Sequence, residues 1–553
     1  MQEKKWTLIF YFASDNPLAP GILSQLKSIQ QAGFHPDVNV IAQYDPQTER
    51  VPIHIFDVNK VAKLRAAKGQ SCQIGFKPDD PFVPNLVLDK LWAEQENIDL
   101  VKSEIGPAGA NYKQPPLPAP KNRSKTANPT QEPGPKESLN IFLEFCRKSY
   151  PAQHYALFIL GHGLVVGNDM FLFDEHAAQQ SLSLRDMGEV LSGFKKRIGR
   201  NGQQFEVVSF HSCSMSAAEV AYELEGTANY MLGSQGPAFV GSWPYRQILM
   251  RLFQDVEGNE YVEETLKKVF AYCLANSRDF QLAGYSFDLS LCNLNKVSDL
   301  KEPLRKLSAA LARQVEDLLV QKCILLAHWD AQSYWGESYT DLYDFCSRLN
   351  HRCEEAKGTS TTSDYKLLEI QQASCQVIKA LQPGDDNLVI RSGNAGSQYQ
   401  YSNGFSVFFP WSAPANGTFW PKEYGGYKWS NKLKGTNWIE FLTQYFKETM
   451  REPRGSESRS KEKRGDKPPT DELLLDRMSS TVGGASGDGQ LGGDSQSTLG
   501  PGKGSGSDVT GKGSGSDATG GDFSSVFIKN YPPYSLVQPG QEKSKRSPFE
   551  CPD

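Results

Sequence analysis

Closely paired cysteines are missing from this chain. Its ten cysteines, at 72, 146, 213, 273, 292, 323, 346, 353, 375 and 551, include no CxxC. That excludes a disulfide-stapled scaffold, so most of them are expected to be buried thiols packing as small apolar residues. Cys346, His351 and Cys353 lie close together, but they follow a helical pattern with no fourth ligand nearby, so no zinc site is expected there. A surplus of positive charge is also missing: 59 Lys and Arg face 64 Asp and Glu, a net charge of -5. A general nucleic-acid binder is therefore excluded. No run approaches the ~18 apolar residues needed to cross a bilayer, and a membrane partner is not expected. At the N-terminus, Lys4 and Lys5 precede the apolar run Trp6 to Phe12 and imitate a signal peptide. The run is short, and Ser14, Asp15 and Asn16 break it where small residues would mark a cleavage site. It reads as a β-strand, which places the chain in the cytoplasm.

What the chain does have is alternation of strand and helix. Trp6 to Ala13 reads as a strand, Leu18 to Ala32 as a helix, Val38 to Tyr44 and Val51 to Val58 as further strands. That order is a βαβ unit and a parallel sheet. Residues 103 to 136 carry Pro every few positions and almost no large apolar side chain, the composition of an exposed, disordered insertion. Alternation resumes with a helix at Ser138 to Ser149, a buried strand at His154 to Leu160 and a helix at Leu184 to Lys196. A strand at Gln204 to Phe210 runs directly into a helix at Met215 to Glu225, and Leu289 to Leu294 reads as a later strand. Continuous apolar strands between helices mean that both faces of the sheet are covered. The fold class expected is α/β, with residues 1–300 as the core and 301–450 as its helix-rich C-terminal part. Helices are read there at Leu304 to Val320, Tyr339 to Leu349 and Tyr365 to Leu381, then a strand at Gly404 to Phe409 and a helix at Trp438 to Met450.

From 451 the apolar periodicity ends, and residues 481 to 522 are dominated by Gly, Ser, Asp and Thr. Residues 451–553 read as a flexible tail. Two copies of a nine-residue repeat, GKGSGSDVT and GKGSGSDAT, run from Gly502 to Thr519. They lack the apolar residues and the ~3 copies a calcium-binding solenoid needs. GPGKGS is no phosphate-binding loop, because glycine follows the lysine where Ser or Thr should hold magnesium. The segment 523–537 is apolar enough to make the tail an arm that docks a protein partner.

Two strand ends carry the chemistry. HYALFIL finishes in Gly161-His162-Gly163, and QFEVVSF in His211-Ser212-Cys213. Ligands of a parallel α/β sheet sit at the carboxyl ends of its strands, so both ends reach one rim. A cysteine at the first turn of a helix feels the positive end of its dipole, which favours the thiolate. A nearby imidazole accepts the thiol proton and later protonates a leaving amine. Gly163 leaves the backbone bare beside His162, so the Gly163 and Cys213 amides are the candidate oxyanion hole. Taken singly, a cysteine is more often packing and a histidine more often a satisfied core residue. What raises the pair above that reading is that each ends an apolar strand among small residues.

These segments resemble the clostripain family of cysteine peptidases, relatives of caspases, legumain and gingipain. WTLIFYFASDNPL, VNVIAQYD, YPAQHYALFILGHG, SFHSCSMSAAEVAYEL, YMLGSQGPAFVGSWPY, YTDLYDFCSRL and GFSVFFPW are similar to its motifs in order. The resemblance implies a caspase-like, mostly parallel sheet flanked by helices, with His162 as general base and Cys213 as nucleophile of a peptide-cleaving dyad. It implies a protein or peptide substrate, and a bacterial source. Some members use calcium; the dyad itself requires no cofactor. The loop Ser234 to Tyr245 is expected to line the groove, with Ser212, Ser234 and Gln235 in it and Trp243 as a wall. Where the family commonly carries Asp two residues before the nucleophile, this chain has His211, and Gly233 to Tyr245 contains no acid. Without a carboxylate partner, a desolvated Arg or Lys side chain is not accommodated, unless a distant acid such as Asp169 or Asp174 supplies one. A protonated His211 would accept an acidic residue instead, more so below about pH 6.5. Two other readings use the same residues: a non-catalytic caspase-like binding module, and a transpeptidase working through the same thioester.

Overall fold

In the first strand, β1 (Lys4–Phe12), Leu8, Phe10 and Phe12 lie in one apolar layer while Ile9 and Tyr11 lie in another. This is the period-two alternation of extended chain. Both sets are buried, so neither face of the sheet can be left to solvent. The structure is a computed structural model that describes residues 3–16, 18–45, 53–58, 134–163, 171–172, 174, 181–198, 203–276, 285–334, 338–358, 361–414, 419–431 and 435–449. All of these belong to one unit of the chain; the other unit, Arg451–Gln538, lies outside the described residues. With it lie the glycine-rich linker and the apolar segment 523–537, as does most of the proline-rich insertion.

The remaining strands of the main sheet are β2 (Val38–Tyr44), β3 (His54–Asp57), β4 (Ala152–Leu160), β5 (Phe205–His211), β6 (Ala228–Gly233), β7 (Phe287–Asn293) and β10 (Val389–Ala395). Their order is β10-β7-β6-β5-β4-β1-β2-β3. The five central strands run parallel, and β3, β7 and β10 are antiparallel to their neighbours. β8 (Ser333–Tyr334), β9 (Tyr339–Asp341) and β11 (Ser406–Phe408) form a small antiparallel sheet. The mostly parallel, helix-flanked sheet expected from the sequence is thus present. β10 was not legible there: VIRSGNA is half polar because it lies on an edge, with only its first two residues buried.

On one face, α1 (Ala19–Gln31) brings Ile22, Leu26 and Ile29 onto Phe10 and Phe158. Its companions are two helices further along the chain, Tyr245–Gly258 and Val262–Asn276. The other face is covered by α2 (Pro135–Ser149), α3 (Leu184–Ile198) and α4 (Ala218–Leu224). That second layer continues without a break through Leu304, Leu311, Phe409 and Trp438. In order, the remaining helices are α5 (Tyr245–Gly258), α6 (Val262–Asn276), α7 (Val297–Gln314), α8 (Leu318–Asp330), α9 (Leu342–Ala356), α10 (Thr361–Leu381) and α11 (Trp438–Thr449).

Two capping aspartates divide what the apolar pattern merges. The single helix expected over Leu304 to Val320 ends at Gln314, and Asp317 starts α8 by accepting the amides of Leu319 (3.0 Å) and Val320 (3.3 Å). The helix expected from Tyr339 begins at Leu342, after β9, with Asp341 accepting the Asp344 amide at 2.8 Å. Seven described cysteines are free thiols, six of them buried. Cys375 is disulfide-bonded. His351 projects from α9 to pair with Glu355 at 3.2 Å, away from the buried Cys346 and Cys353.

Three fully buried carboxyls make stability depend on pH. Burial raises Glu219 to about 7, Asp341 to about 7 and Asp288 to about 6. A carboxyl with a raised folded pKa binds its proton more tightly in the folded chain. Its contribution is complete below the unfolded value of about 4 and is lost as pH rises through 6 to 7. Glu219 accepts from the Phe408 amide (3.0 Å) and the Tyr424 hydroxyl (2.8 Å) through one oxygen. Glu219→Gln keeps that acceptor and removes the titration. Melting temperature is therefore expected to fall less steeply between pH 5 and 8 in the variant than in the wild type. Equal slopes in a thermal-melt series would show that Glu219 does not titrate there.

Candidate active site

β4 and β5 are adjacent and parallel, and Leu160 pairs with His211 in register. His162 and Cys213 each follow two residues later, so equal registry delivers them side by side at the same sheet edge. The closeness can be measured at Gly163. A Cβ placed there would lie 1.8 Å from the Cys213 carbonyl oxygen and 2.5 Å from its amide nitrogen. The backbone after His162 therefore touches the backbone of the cysteine, and no side chain fits between them. Gly161 is nearly as tight, with Ala13 Cβ 2.9 Å from its absent Cβ. Gly163→Ala is expected to push the two strand ends apart and slow alkylation of Cys213 by a peptide-linked electrophile by about a hundredfold, since misplacement by ~1 Å has that cost. An unchanged labelling rate would show that the contact is dispensable.

The half-buried His162 has its pKa lowered by burial. The Cys213 thiol is raised, chiefly by burial, with partial relief from the amides of Ala238 and of Cys213 itself. The resting pair is therefore a thiol beside a neutral imidazole. The Ala238 amide donates to Sγ at 3.3 Å, and Sγ donates to the Ala238 carbonyl at 3.6 Å. The helix after Cys213 starts at Ala218 rather than Met215, because Ser214 adopts φ +58° and turns the chain first. The expected placement of Cys213 in a helical first turn is thus corrected, and the dipole is too far along the chain to offset the burial.

The residues expected in an open groove are all buried. His211 is 2 % exposed and Trp243 1 %. Their rings stack at 3.6 Å and 8°. The reason is strand alternation: Val207, Ser209 and His211 share one face of β5, the face under α5. His211 Nε2 is hydrogen-bonded with Ser209 Oγ at 2.8 Å, and Nδ1 with the Tyr245 hydroxyl. Burial holds its pKa well below the ordinary value. His211, expected to set the first pocket, and Trp243, expected as a groove wall, thus lie buried against each other. Ser212, Ser234 and Gln235 are likewise at or below 1 % exposed. Ser234 Oγ donates to the Gly236 carbonyl at 3.0 Å. The Gln235 side chain bridges from Asp341 (2.9 Å) to the Gly404 amide (2.8 Å). These residues build the wall behind the cysteine and offer a substrate no side-chain atom as they stand.

Sequence reasoning missed Asp288, Ala238 and Tyr399. The sequence signal for Asp288 was an acid inside the apolar strand FDLSLCN. Its carboxylate receives the Gln235 and Gly236 amides at 2.7 and 2.8 Å. Tyr399 comes within reach of Asp288 and Cys213, whose charges raise its pKa after burial has done so.

The sequence model of the clostripain family matches residues 122–444, more than half of the chain. Clostripain from Hathewaya histolytica is 22 % identical over 344 residues, 54 % of this chain. The chain spans 60 % of the length of that curated relative. Among solved structures, the inactive zymogen C11 protease from Parabacteroides distasonis is 15 % identical, with a TM-score of 0.40 over 74 % of this chain and 93 % of that one. A secreted C11 cysteine protease from Bacteroides thetaiotaomicron, in complex with an irreversible peptide inhibitor, is 13 % identical, with a TM-score of 0.40 over 80 % and 99 %.

Proposed function

The chain belongs to the clostripain family, and we propose that it is a cysteine peptidase that cleaves peptide bonds through Cys213 and His162. The observation that carries this reading is the matched registry of β4 and β5, which brings Gly163 against the Cys213 backbone. His162, neutral because burial lowers its pKa, takes the Cys213 proton as Sγ attacks the substrate carbonyl carbon. The Gly163 and Cys213 amides receive the oxyanion. Collapse breaks the C–N bond, the imidazolium returns its proton to the leaving amine, and a thioester remains. Water then gives a proton to His162 and its oxygen to the carbonyl carbon, and the acid product leaves with the thiol restored. No cofactor enters these steps.

The buried stack of His211 on Trp243 favours a second reading, a module that binds a partner without cleaving it. A peptide-library cleavage profile of the wild type beside Cys213→Ala separates the two. Cleavage by the wild type alone supports the peptidase, and cleavage by neither leaves the binding module.

A further inference from the structure

We propose that Asp288 is a positioning residue for the nucleophile, acting through the loop 234–238 that follows β6. Its catalytic consequence rests on the peptidase reading above; its effect on the thiol does not.

Asp288 is 1 % exposed on β7, the antiparallel neighbour of β6. Its two oxygens accept the Gln235 amide at 2.7 Å and the Gly236 amide at 2.8 Å. Burial, with no countering cation among the described residues, raises its pKa against the pull of these amides. The loop so held is joined to the nucleophile turn at three points. Gly236 accepts from the Ser214 amide at 3.1 Å, Ser234 accepts from the Ser216 amide at 2.9 Å, and the Ala238 amide points at Cys213 Sγ at 3.3 Å. There is no slack at the centre: a Cβ on Gly236 would lie 3.0 Å from Asp288 Oδ1 and 3.2 Å from the rings of Tyr334 and Tyr399. A shift of the carboxyl must therefore move the backbone that meets the sulfur.

Among the described residues, the titratable groups facing Asp288 are Cys213, Tyr334, Tyr399 and, across Gln235, Asp341. Its charge opposes ionisation of the Cys213 thiol. Asp288 thus has two effects of opposite sign, one through geometry and one through charge. A residue that merely filled space would have neither.

Asp288→Asn tests both. Asparagine is close in shape but has one acceptor oxygen, so one loop amide loses its partner. The variant is expected to lower kcat about tenfold or more, as small misplacements at a reacting centre do. At the same time, the midpoint for iodoacetamide alkylation of Cys213 should move to higher pH, because displacing the Ala238 amide removes a larger relief of the thiol than the burden lifted with the facing negative charge. Cys213 is the one cysteine in the tryptic peptide 201–246, so mass spectrometry reads it alone. A wild-type or lower midpoint in Asp288→Asn overturns the proposal, and so does a wild-type kcat. A wild type that cleaves no peptide sinks the peptidase reading, while the midpoint still decides on Asp288. Should Asp288→Asn not fold, hydrogen exchange on the wild type decides: protection of the Gln235 and Gly236 amides comparable to the sheet supports the clamp, and exchange at unfolded rates overturns it.

Discussion

Cys213→Ala and His162→Ala are each expected to lower peptide turnover by several orders of magnitude, with the double variant little worse than either single one. The non-additivity follows from the roles. Without the thiol there is no acyl acceptor for the base to activate, and without the imidazole the thiol keeps its proton. Removing the second member of such a unit costs little once the first is gone. The local electrostatics sharpen the expectation. Burial raises the Cys213 thiol and lowers His162, so almost no thiolate forms spontaneously near neutral pH and attack depends on transfer of the proton to His162. His162→Ala should therefore show turnover that climbs with pH past 8, as hydroxide takes over deprotonation, while the wild type levels off earlier. Melting curves of the variants should match the wild type within a few degrees, since neither change opens a large cavity in the core. Near-normal cleavage by Cys213→Ala would remove the nucleophile assignment altogether.

The same two residues show where sequence reasoning reaches. The runs ending in Leu160 and His211 are continuously apolar because both faces of the sheet are covered, and such runs are easily recognised as strands. Their carboxyl ends then locate His162 and Cys213 without any knowledge of the rest of the chain. The pocket was harder. His211 and Trp243 are large, distinctive and close to the cysteine, which invited a substrate-facing role. Counting back in twos from His211 reaches Ser209 and Val207, but both faces of β5 are buried, so parity alone does not reveal which way the ring packs. The turn at Ser214 left no sequence signal, because serine rarely adopts positive φ and nothing local demands it. Asp288 stood out as an acid inside an apolar strand, but its role was hidden for a different reason: its partners lie 52 and 53 residues earlier. A contact between one strand and the loop beyond its neighbour is a property of the sheet order, which the sequence shows only in part.

Arg and Lys at the position before the cut are expected to be poor for this chain, with a neutral residue preferred. A desolvated guanidinium or ammonium needs a carboxylate, and lacking one costs about 3–5 kcal/mol, or hundreds to thousands-fold. The loop 233–245 contains no acid, and His211 stands two residues before Cys213. Two buried acids bonded to this loop are already engaged: Asp288 by the Gln235 and Gly236 amides, Asp341 by Gln235, Asn403 and Asp344. Asp174 is buried beside Tyr11, and Asp169 lies outside the described residues. The stack of Trp243 on His211 removes the other option read from the sequence. With both ring nitrogens hydrogen-bonded and burial holding its pKa well below the ordinary value, His211 stays neutral through the window in which a free histidine charges. Acidic residues before the cut should accordingly gain nothing as pH falls through that window. His211→Asp alone should also add little activity on basic substrates, because the new carboxylate would replace a ring that Trp243 covers at 3.6 Å. Fluorogenic peptides differing only in that residue, with Arg, Lys, Ala, Gln and Asp in turn, measure all three effects. If Arg or Lys dominates the profile, an acid reaches the pocket from elsewhere in the chain and the neutral-pocket reading is wrong. If instead His211→Asp raises turnover of the Arg peptide a hundredfold, Trp243 must swing away when substrate enters, and the closed stack describes only the resting enzyme.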